Sequence, residues 1–150
     1  NTFKIVLFAP EIPGNTGSIG RTCLALNINL ILIKPYGFDL DEKAVRRAGL
    51  DYWKHVNLTE YESFDDFIED EKPEHLYFLS KFAETSYFDA VFKENSYLIF
   101  GRETKGLPDY IPLRYPNDLY KLPMFSEHVR SLNLSNAATA VAYEALRQLS

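Results

Sequence analysis

Short, almost unbroken apolar runs alternate along this chain with stretches whose apolar residues fall three and four apart. Phe3–Phe8 (FKIVLF), Asn29–Ile33, Leu76–Leu79 and Tyr97–Phe100 are runs of strand length. Runs that are apolar at odd and even positions alike predict strands buried on both faces, as in parallel sheets. Val56–Thr59 and Tyr120–Leu122 predict two shorter strands. Between them, Ile19, Cys23 and Leu26 share one face of a helix predicted over Gly17–Leu26, with Asn15 or Thr16 as its cap. Asp39 or Asp41 is placed to cap a short helix running through Arg47. Ser63 is placed to cap a helix that turns Phe64, Phe67 and Ile68 inward. The last helix, Asn133–Gln148, is small along one flank at Ala137, Ala138, Ala140, Ala142 and Ala145, so another backbone can come close. Strand, loop and helix in repeated order predict an α/β fold with a mainly parallel sheet and helices on both faces. In such sheets ligands bind beyond the carboxyl ends of the strands. The loops at 10–21, 80–84, 101–108 and 122–131 follow strands and concentrate Gly, Pro, Asn and isolated charges.

Composition narrows this picture. A chain of 150 residues predicts one domain spanning 1–150, long enough to bury a core without staples. Cys23 is the one cysteine, so no intramolecular disulfide forms, and a cytoplasmic protein is expected. No apolar run approaches the roughly 20 residues of a membrane span. The first residues lack the charged-then-apolar order of a signal peptide. The net charge of −5 first argues against a nucleic-acid partner, but eight acids and one base fall within residues 60–74. The remaining 13 acids and 15 bases leave the rest of the chain slightly basic, so a basic surface is allowed.

Several chemistries are excluded by spacing. The glycines Gly14, Gly17 and Gly20 do not match the dinucleotide fingerprint G-x-G-x-x-G. Two of them would lie inside the helix, at about 1 kcal/mol each relative to Ala, which predicts a close neighbour on that face beside Arg21. Gly101–Gly106 superficially matches a phosphate-binding loop, but Leu107 and Pro108 stand where Lys and a hydroxyl are required. What remains is a tight turn with a glycine at each end and Glu103 between. His55, His75 and His128 are far apart, without metal-ligand spacing, and no metal is expected. There is no G-x-S-x-G nucleophile elbow. Lys121–Tyr143 feeds a loop of exposed backbone N–H groups into a capped helix, a geometry suited to a polar or charged ligand.

Three motifs occur in order: N-x-G-x-x-x-R at 15–21, F-G-R-E-x-x-G-L-P at 100–108, and L-P-M at 122–124 followed by S-L-N-L-S at 131–135. Together they resemble the SPOUT superfamily of knotted RNA methyltransferases. Within it the chain is similar, over nearly its whole length, to the small tRNA (cytidine/uridine-34)-2′-O-methyltransferases. The stretch Arg46–Tyr52 is also typical of that branch. The resemblance implies a deep trefoil knot in the C-terminal part and a homodimer. It also implies transfer of a methyl group from S-adenosylmethionine to the ribose 2′-hydroxyl of the tRNA wobble nucleotide. Gly17, Gly20 and the alanine flank then become candidate dimer or knot contacts.

Carried over residue by residue, the resemblance assigns the cofactor to Leu79, Ser80, Gly101, Glu103, Gly106, Leu122, Met124, Ser131, Asn133 and Leu134. Leu79, Leu122 and Met124 would sandwich adenine, and Glu103 would meet ribose hydroxyls or the sulfonium charge. Arg21, Ser131 and Asn133 would be catalytic. Arginine stays protonated in water, so the role expected of Arg21 is a phosphate clamp that stabilises a developing alkoxide. Lys34, Arg46, Arg47, Lys105, Arg114, Arg130 and Tyr143 are candidate RNA contacts. This chain departs from the family at Gly14 and Arg102, where prolines occur in other members, and in the variable loop Phe125–Arg130. A non-catalytic RNA-binding or assembly protein and a small-molecule methyltransferase are the alternatives. The intact set of Arg21, Glu103 and Ser131–Ser135 favours catalysis.

Overall fold

The structure, a computed structural model, describes residues 3–40, 45, 47 and 50–150. The short helix expected up to Arg47 falls largely outside the described residues, as does Arg46. Six strands are seen: β1 (Phe3–Phe8), β2 (Leu30–Ile33), β3 (Leu58–Tyr61), β4 (His75–Leu79), β5 (Ser96–Phe100) and β6 (Leu119–Tyr120). They form one sheet in the order β3-β2-β1-β5-β4-β6, parallel at every pairing. The helices are α1 (Pro13–Leu26), α2 (Phe64–Glu71), α3 (Tyr110–Arg114) and α4 (Leu134–Leu149). Two 3₁₀ turns, Leu50–His55 and Tyr87–Asp89, complete the described elements.

Period-two alternation within the buried strands sorts the core into two layers. Phe3, Ile5 and Leu7 of β1, with Leu98 and Phe100 of β5, meet Ile19 and Cys23 of α1 and Ala138, Val141, Ala142 and Ala145 of α4. Val6, Phe8, Ile31, Ile33 and Ile99 point the other way, onto Phe64 and Phe67 of α2 and Ile111 of α3. Most of the alanine flank of α4 is thus filled from within the chain, Ala137 and Ala140 staying partly exposed. Ala138, Ala142 and Ala145 have no exposed surface, and α4 lies on α1, β5 and β1. Burial also pushes the Cys23 thiol up to about 12, which keeps it an inert packing residue.

Three expectations need correction. Helix α1 begins at Pro13, not Gly17, so Asn15 and Thr16 lie within its first turn and do not cap it. Proline is suited to the first helical position because its missing N–H would be unpaired there anyway. The predicted strands over 56–59 and 120–122 are displaced to Leu58–Tyr61 and Leu119–Tyr120. Finally, the close neighbour of Gly20 is the Trp53 ring: a Cβ built on Gly20 would stand 2.7 Å from Trp53 Cζ3. Gly20 is therefore an internal packing contact with the 3₁₀ turn. Ser63 does cap α2, its Oγ accepting from Asp66 N at 3.1 Å, and Asn133 caps α4.

Candidate active site

The strand order changes direction after β5. From β4 the chain moves inward to β5, then crosses back to β6 on the outer side of β4. A crevice opens at such a reversal, beyond the carboxyl ends of the strands. Here it is a cavity of about 1030 Å³. Its walls come from the ends of β4 and β5, the turn at 101–107, and the long segment from Lys121 to Leu134.

The turn after β5 is folded back so tightly that two glycines are obligatory. Arg102 N donates to Gly106 O at 3.0 Å, and Gly106 N to Arg102 O at 2.9 Å. A Cβ on Gly101 would stand 2.2 Å from Gly106 C, and Gly106 has a positive φ of 69°. Only glycine meets both demands without strain.

This turn is clasped to the start of α1 from both sides. Glu103 accepts hydrogen bonds from Glu11 N at 2.8 Å, Ile12 N at 2.9 Å and Asn15 Nδ2 at 3.3 Å. It supplies the negative charge that the N-terminus of α1 lacks among its own side chains. Glu11 reaches the opposite way, accepting from Thr104 N at 3.0 Å and Thr104 Oγ1 at 2.8 Å, with Arg102 at 3.4 Å. The Thr104 backbone N–H holds the Glu11 carboxyl below its ordinary pKa, assisted by the Thr104 hydroxyl. Glu103 was expected to face a ribose or a sulfonium charge. Its hydrogen bonds hold α1 to the glycine turn, and Glu103 also lines the cavity, where Oε1 accepts a single hydrogen bond.

Asn15 carries the connection onward. Its Oδ1 accepts from Asn133 Nδ2 at 3.1 Å, and Asn133 Oδ1 accepts from Ser135 N at 2.9 Å and Asn136 N at 3.4 Å. One chain of hydrogen bonds therefore runs Glu103–Asn15–Asn133–α4 and ties the three sequence motifs together. Asn15 is buried, and each end of its amide is committed to a neighbour. Sequence reasoning took it for a helix cap. Its position two residues after Pro13, a polar amide in an otherwise small and apolar first turn, was the available signal.

Every residue assigned to the cofactor lines this one cavity. Leu79, Leu122, Met124 and Leu134 give apolar surface, while Ser80, Ser131 and backbone at the glycine turn give polar groups. That set fits a ligand with a flat apolar base and a polar ribose, as S-adenosylmethionine has. The catalytic assignments divide. Ser131 and Asn133 are at the cavity, but Arg21 is exposed on α1, its guanidinium 5.2 Å from the centre of the Tyr52 ring and outside the cavity lining. The candidate RNA contacts divide too. Lys105 and Arg130 are at the cavity rim. Lys34 is paired with Glu62 at 3.0 Å, and Arg114 with Asp65 at 3.3 Å, away from the cavity. Arg47 and Tyr143 are exposed and also lie outside its lining. Among the described residues no group of His, Cys, Asp and Glu could hold a metal ion. None of the described helices is long and apolar enough to cross a membrane.

A doubly covered parallel sheet with a three-loop cavity at its carboxyl edge defines an α/β enzyme-type scaffold. The chain belongs to the SpoU rRNA Methylase family, whose sequence profile matches residues 2–143. It is 44% identical to the tRNA (cytidine(34)-2′-O)-methyltransferase of Saccharophagus degradans, over 98% of this chain and 96% of that protein. A solved structure concerned with 2-OH methylation of C/U34 on tRNA superposes at a TM-score of 0.92 with 44% identity, covering 98% of this chain and 95% of the other. The SpoU methyltransferase AviRb from Streptomyces viridochromogenes, in complex with the cofactor AdoMet, superposes at 0.83 with 28% identity, over 97% of this chain and 60% of that one.

Proposed function

We propose that this protein is a tRNA 2′-O-methyltransferase, using S-adenosylmethionine to methylate the ribose of nucleotide 34, cytidine or uridine. The observation that carries the reading is the hydrogen-bond chain Glu103–Asn15–Asn133, which draws the three family motifs onto one cavity. The names of the relatives at 44% identity point to the same reaction.

S-adenosylmethionine supplies an activated methyl group when bound. Leu79, Leu122 and Met124 would hold its adenine, and Ser80, Ser131 and the backbone of the glycine turn would meet its polar parts. Glu103 acts as a positioning residue, fixing the turn against α1. Asn133 holds the third loop by capping α4. Arg21 would clamp a phosphate next to the target ribose and stabilise the charge that builds on the 2′-oxygen as its proton passes to solvent water and the methyl group moves from sulfur to that oxygen. Orientation and charge stabilisation then carry most of the rate.

The working form is a cytoplasmic homodimer of a single-domain chain whose C-terminal part is knotted. A dimer is supported by the position of Arg21. It lies six residues beyond Asn15, about 9 Å along the helix axis and turned about 240° around it, so it faces away from its own cavity. Tyr143 and Leu146 on α4 are exposed apolar surface available to a second copy. A knot is supported by the path after β6. Lys121 is bracketed by Thr85 and Tyr87 through two backbone hydrogen bonds, and the chain then returns to pack α4 against α1, β1 and β5. A tRNA substrate supports a cytoplasmic location.

The test is to incubate the protein with methyl-labelled S-adenosylmethionine and bulk tRNA, then map the label by nuclease digestion. Label on the 2′-oxygen of nucleotide 34 is expected. Cofactor binding without transfer to any tRNA would instead mean a non-catalytic RNA-binding protein.

A further inference from the structure

The cavity mouth carries two aromatic side chains that the fold does not use: Phe82, in the cavity lining, and Phe125, adjacent in sequence to the lining residues Met124 and Ser126. Phe82 is 82% exposed and Phe125 is 97% exposed, the second an almost fully solvated phenyl ring. Val129 and Leu132, nearly half exposed, continue the apolar rim. Phe82 sits at the tip of the turn after β4, which Ser80 fixes by accepting from Phe82 N at 3.2 Å and Ala83 N at 3.2 Å. Leu122, Met124 and Ser126 line the cavity, and Phe125 between the last two does not. Met124 thus faces the cavity while Phe125 faces whatever approaches its mouth. Solvated apolar surface grouped beside a cavity, with no folding role, marks a contact surface.

The charges beside these rings indicate what approaches. Lys81 Nζ stands 5.3 Å from the centre of the Phe82 ring. Lys81, Lys105, Lys121 and Arg130 all line the same rim. Arg102, which lines the same cavity, is paired with Glu11, and Lys34, Arg114 and Arg147 are drawn into salt bridges elsewhere; among the described residues Lys81, Lys121 and Arg130 are in none. Glu127 is the acid on the same loop. Aromatic faces interleaved with cations bind unpaired nucleotides: bases stack on the rings while phosphates meet the cations.

We propose that Phe82 and Phe125 form a stacking platform for the unpaired bases flanking the methylated nucleotide, with Lys81, Lys121 and Arg130 meeting their phosphates. The proposal rests on the tRNA reading above and deepens it, because it names how the loop around the target nucleotide is held open at the cavity. Stacking is tolerant of base identity, so the platform positions the RNA without selecting its sequence.

The test uses Phe82→Ala, Phe125→Ala, Phe125→Leu and Phe125→Trp in the full chain. Binding to a fluorescein-labelled anticodon-arm hairpin is followed by anisotropy, S-adenosylmethionine binding by calorimetry, and mass by light scattering. Each alanine variant is expected to weaken hairpin binding by about fivefold to a hundredfold, the range for losing one base–aromatic stack. Cofactor affinity and mass should not change. Phe125→Trp should restore binding and Phe125→Leu should not. The alanine penalty should also vanish on a hairpin whose bases beside nucleotide 34 have been removed. Unchanged hairpin affinity in both alanine variants would overturn the proposal. So would equal rescue by leucine, which would show plain apolar packing. A parallel loss of cofactor affinity or of dimer mass would assign the rings to a cofactor lid or to the subunit contact instead. If wild-type protein transfers no methyl group yet both rings still set RNA affinity, the platform stands and the methyltransferase reading falls. Normal transfer with indifferent variants removes the platform alone.

Discussion

Asn15 and Gly20 are the residues on which the site and its support depend most. Replacing Asn15 by alanine removes one of the two hydrogen bonds to Glu103 Oε2, which keeps Ile12 N, and the protein partner of the Asn133 side-chain amide. Each lost hydrogen bond is worth about 0.5–1.5 kcal/mol. We expect Asn15→Ala to lower kcat/KM by at least about tenfold while circular dichroism stays native. Asn15→Asp should be worse, because it removes the donor to Glu103 and sets a second carboxylate against it. Equal activity of the two variants would show that the charge of Glu103 is not felt there. Gly20→Ala adds about 1 kcal/mol of helix propensity but drives a methyl group to 2.7 Å from the Trp53 ring. Overpacking of this kind costs about 1–3 kcal/mol, so a net loss of about 1 kcal/mol is expected in urea unfolding. Trp53 is the one tryptophan, so its emission should shift as well. The need for a close neighbour at Gly20 was legible from a helical glycine. The identity of that neighbour was not, because Trp53 arrives there only through the path of the chain after β2.

Elements were read well where burial alone decides them and poorly where tertiary partners do. Each buried strand announces itself as an apolar run, and Ser63 as a local cap. The start of α1 was misplaced by four residues because the negative charge at its N-terminus comes from Glu103, some ninety residues away. The alanine flank of α4 was legible as a close-packing surface, and the structure fills much of it from within. The far end of α4 rests on a polar anchor. Gln148 accepts from Phe92 N at 2.9 Å and donates to Ala90 O at 3.0 Å, while its amide also donates to Glu144 at 2.8 Å. Gln148→Ala leaves two backbone groups of the 90–92 segment unpaired, and a loss of about 1–3 kcal/mol is expected. Hydrogen bonds from Arg147, and then from Gln148, hold the Glu144 carboxyl at about 2, below its ordinary 4.5. Folding therefore favours the ionised form. The contribution of Glu144 is whole above its unfolded pKa of 4.5 and fades as pH falls toward about 2. Glu144→Gln should be less stable than wild type at neutral pH, with the difference narrowing near pH 3. A constant difference in urea midpoint across that window would contradict the assignment.

At the scale of the whole molecule, the cavity and Arg21, which the proposed reaction needs together, lie apart on one chain. The cavity lies at the carboxyl ends of β4, β5 and β6, and Arg21 sits on the outward side of α1. The sequence placed both in one family pattern but carried no distance between them, and only the rotation of α1 reveals that they diverge. If the enzyme is a symmetric dimer, the Arg21 that serves a given cavity can come from the other copy. This is open to a mixing experiment. Arg21→Ala keeps an intact cavity, whereas Gly101→Ala forces a Cβ to 2.2 Å from backbone and spoils the turn that lines it. Each variant alone should be inactive, with light scattering confirming that both assemble. Unfolded and refolded together in equal amounts, they form mixed dimers as half of the population by random pairing. Each mixed dimer would then hold one site with both an intact cavity and an intact arginine, returning about a quarter of wild-type activity. No recovery on mixing would place Arg21 at the cavity of its own chain, which would require α1 to turn or the loop at 125–131 to swing toward it when RNA binds.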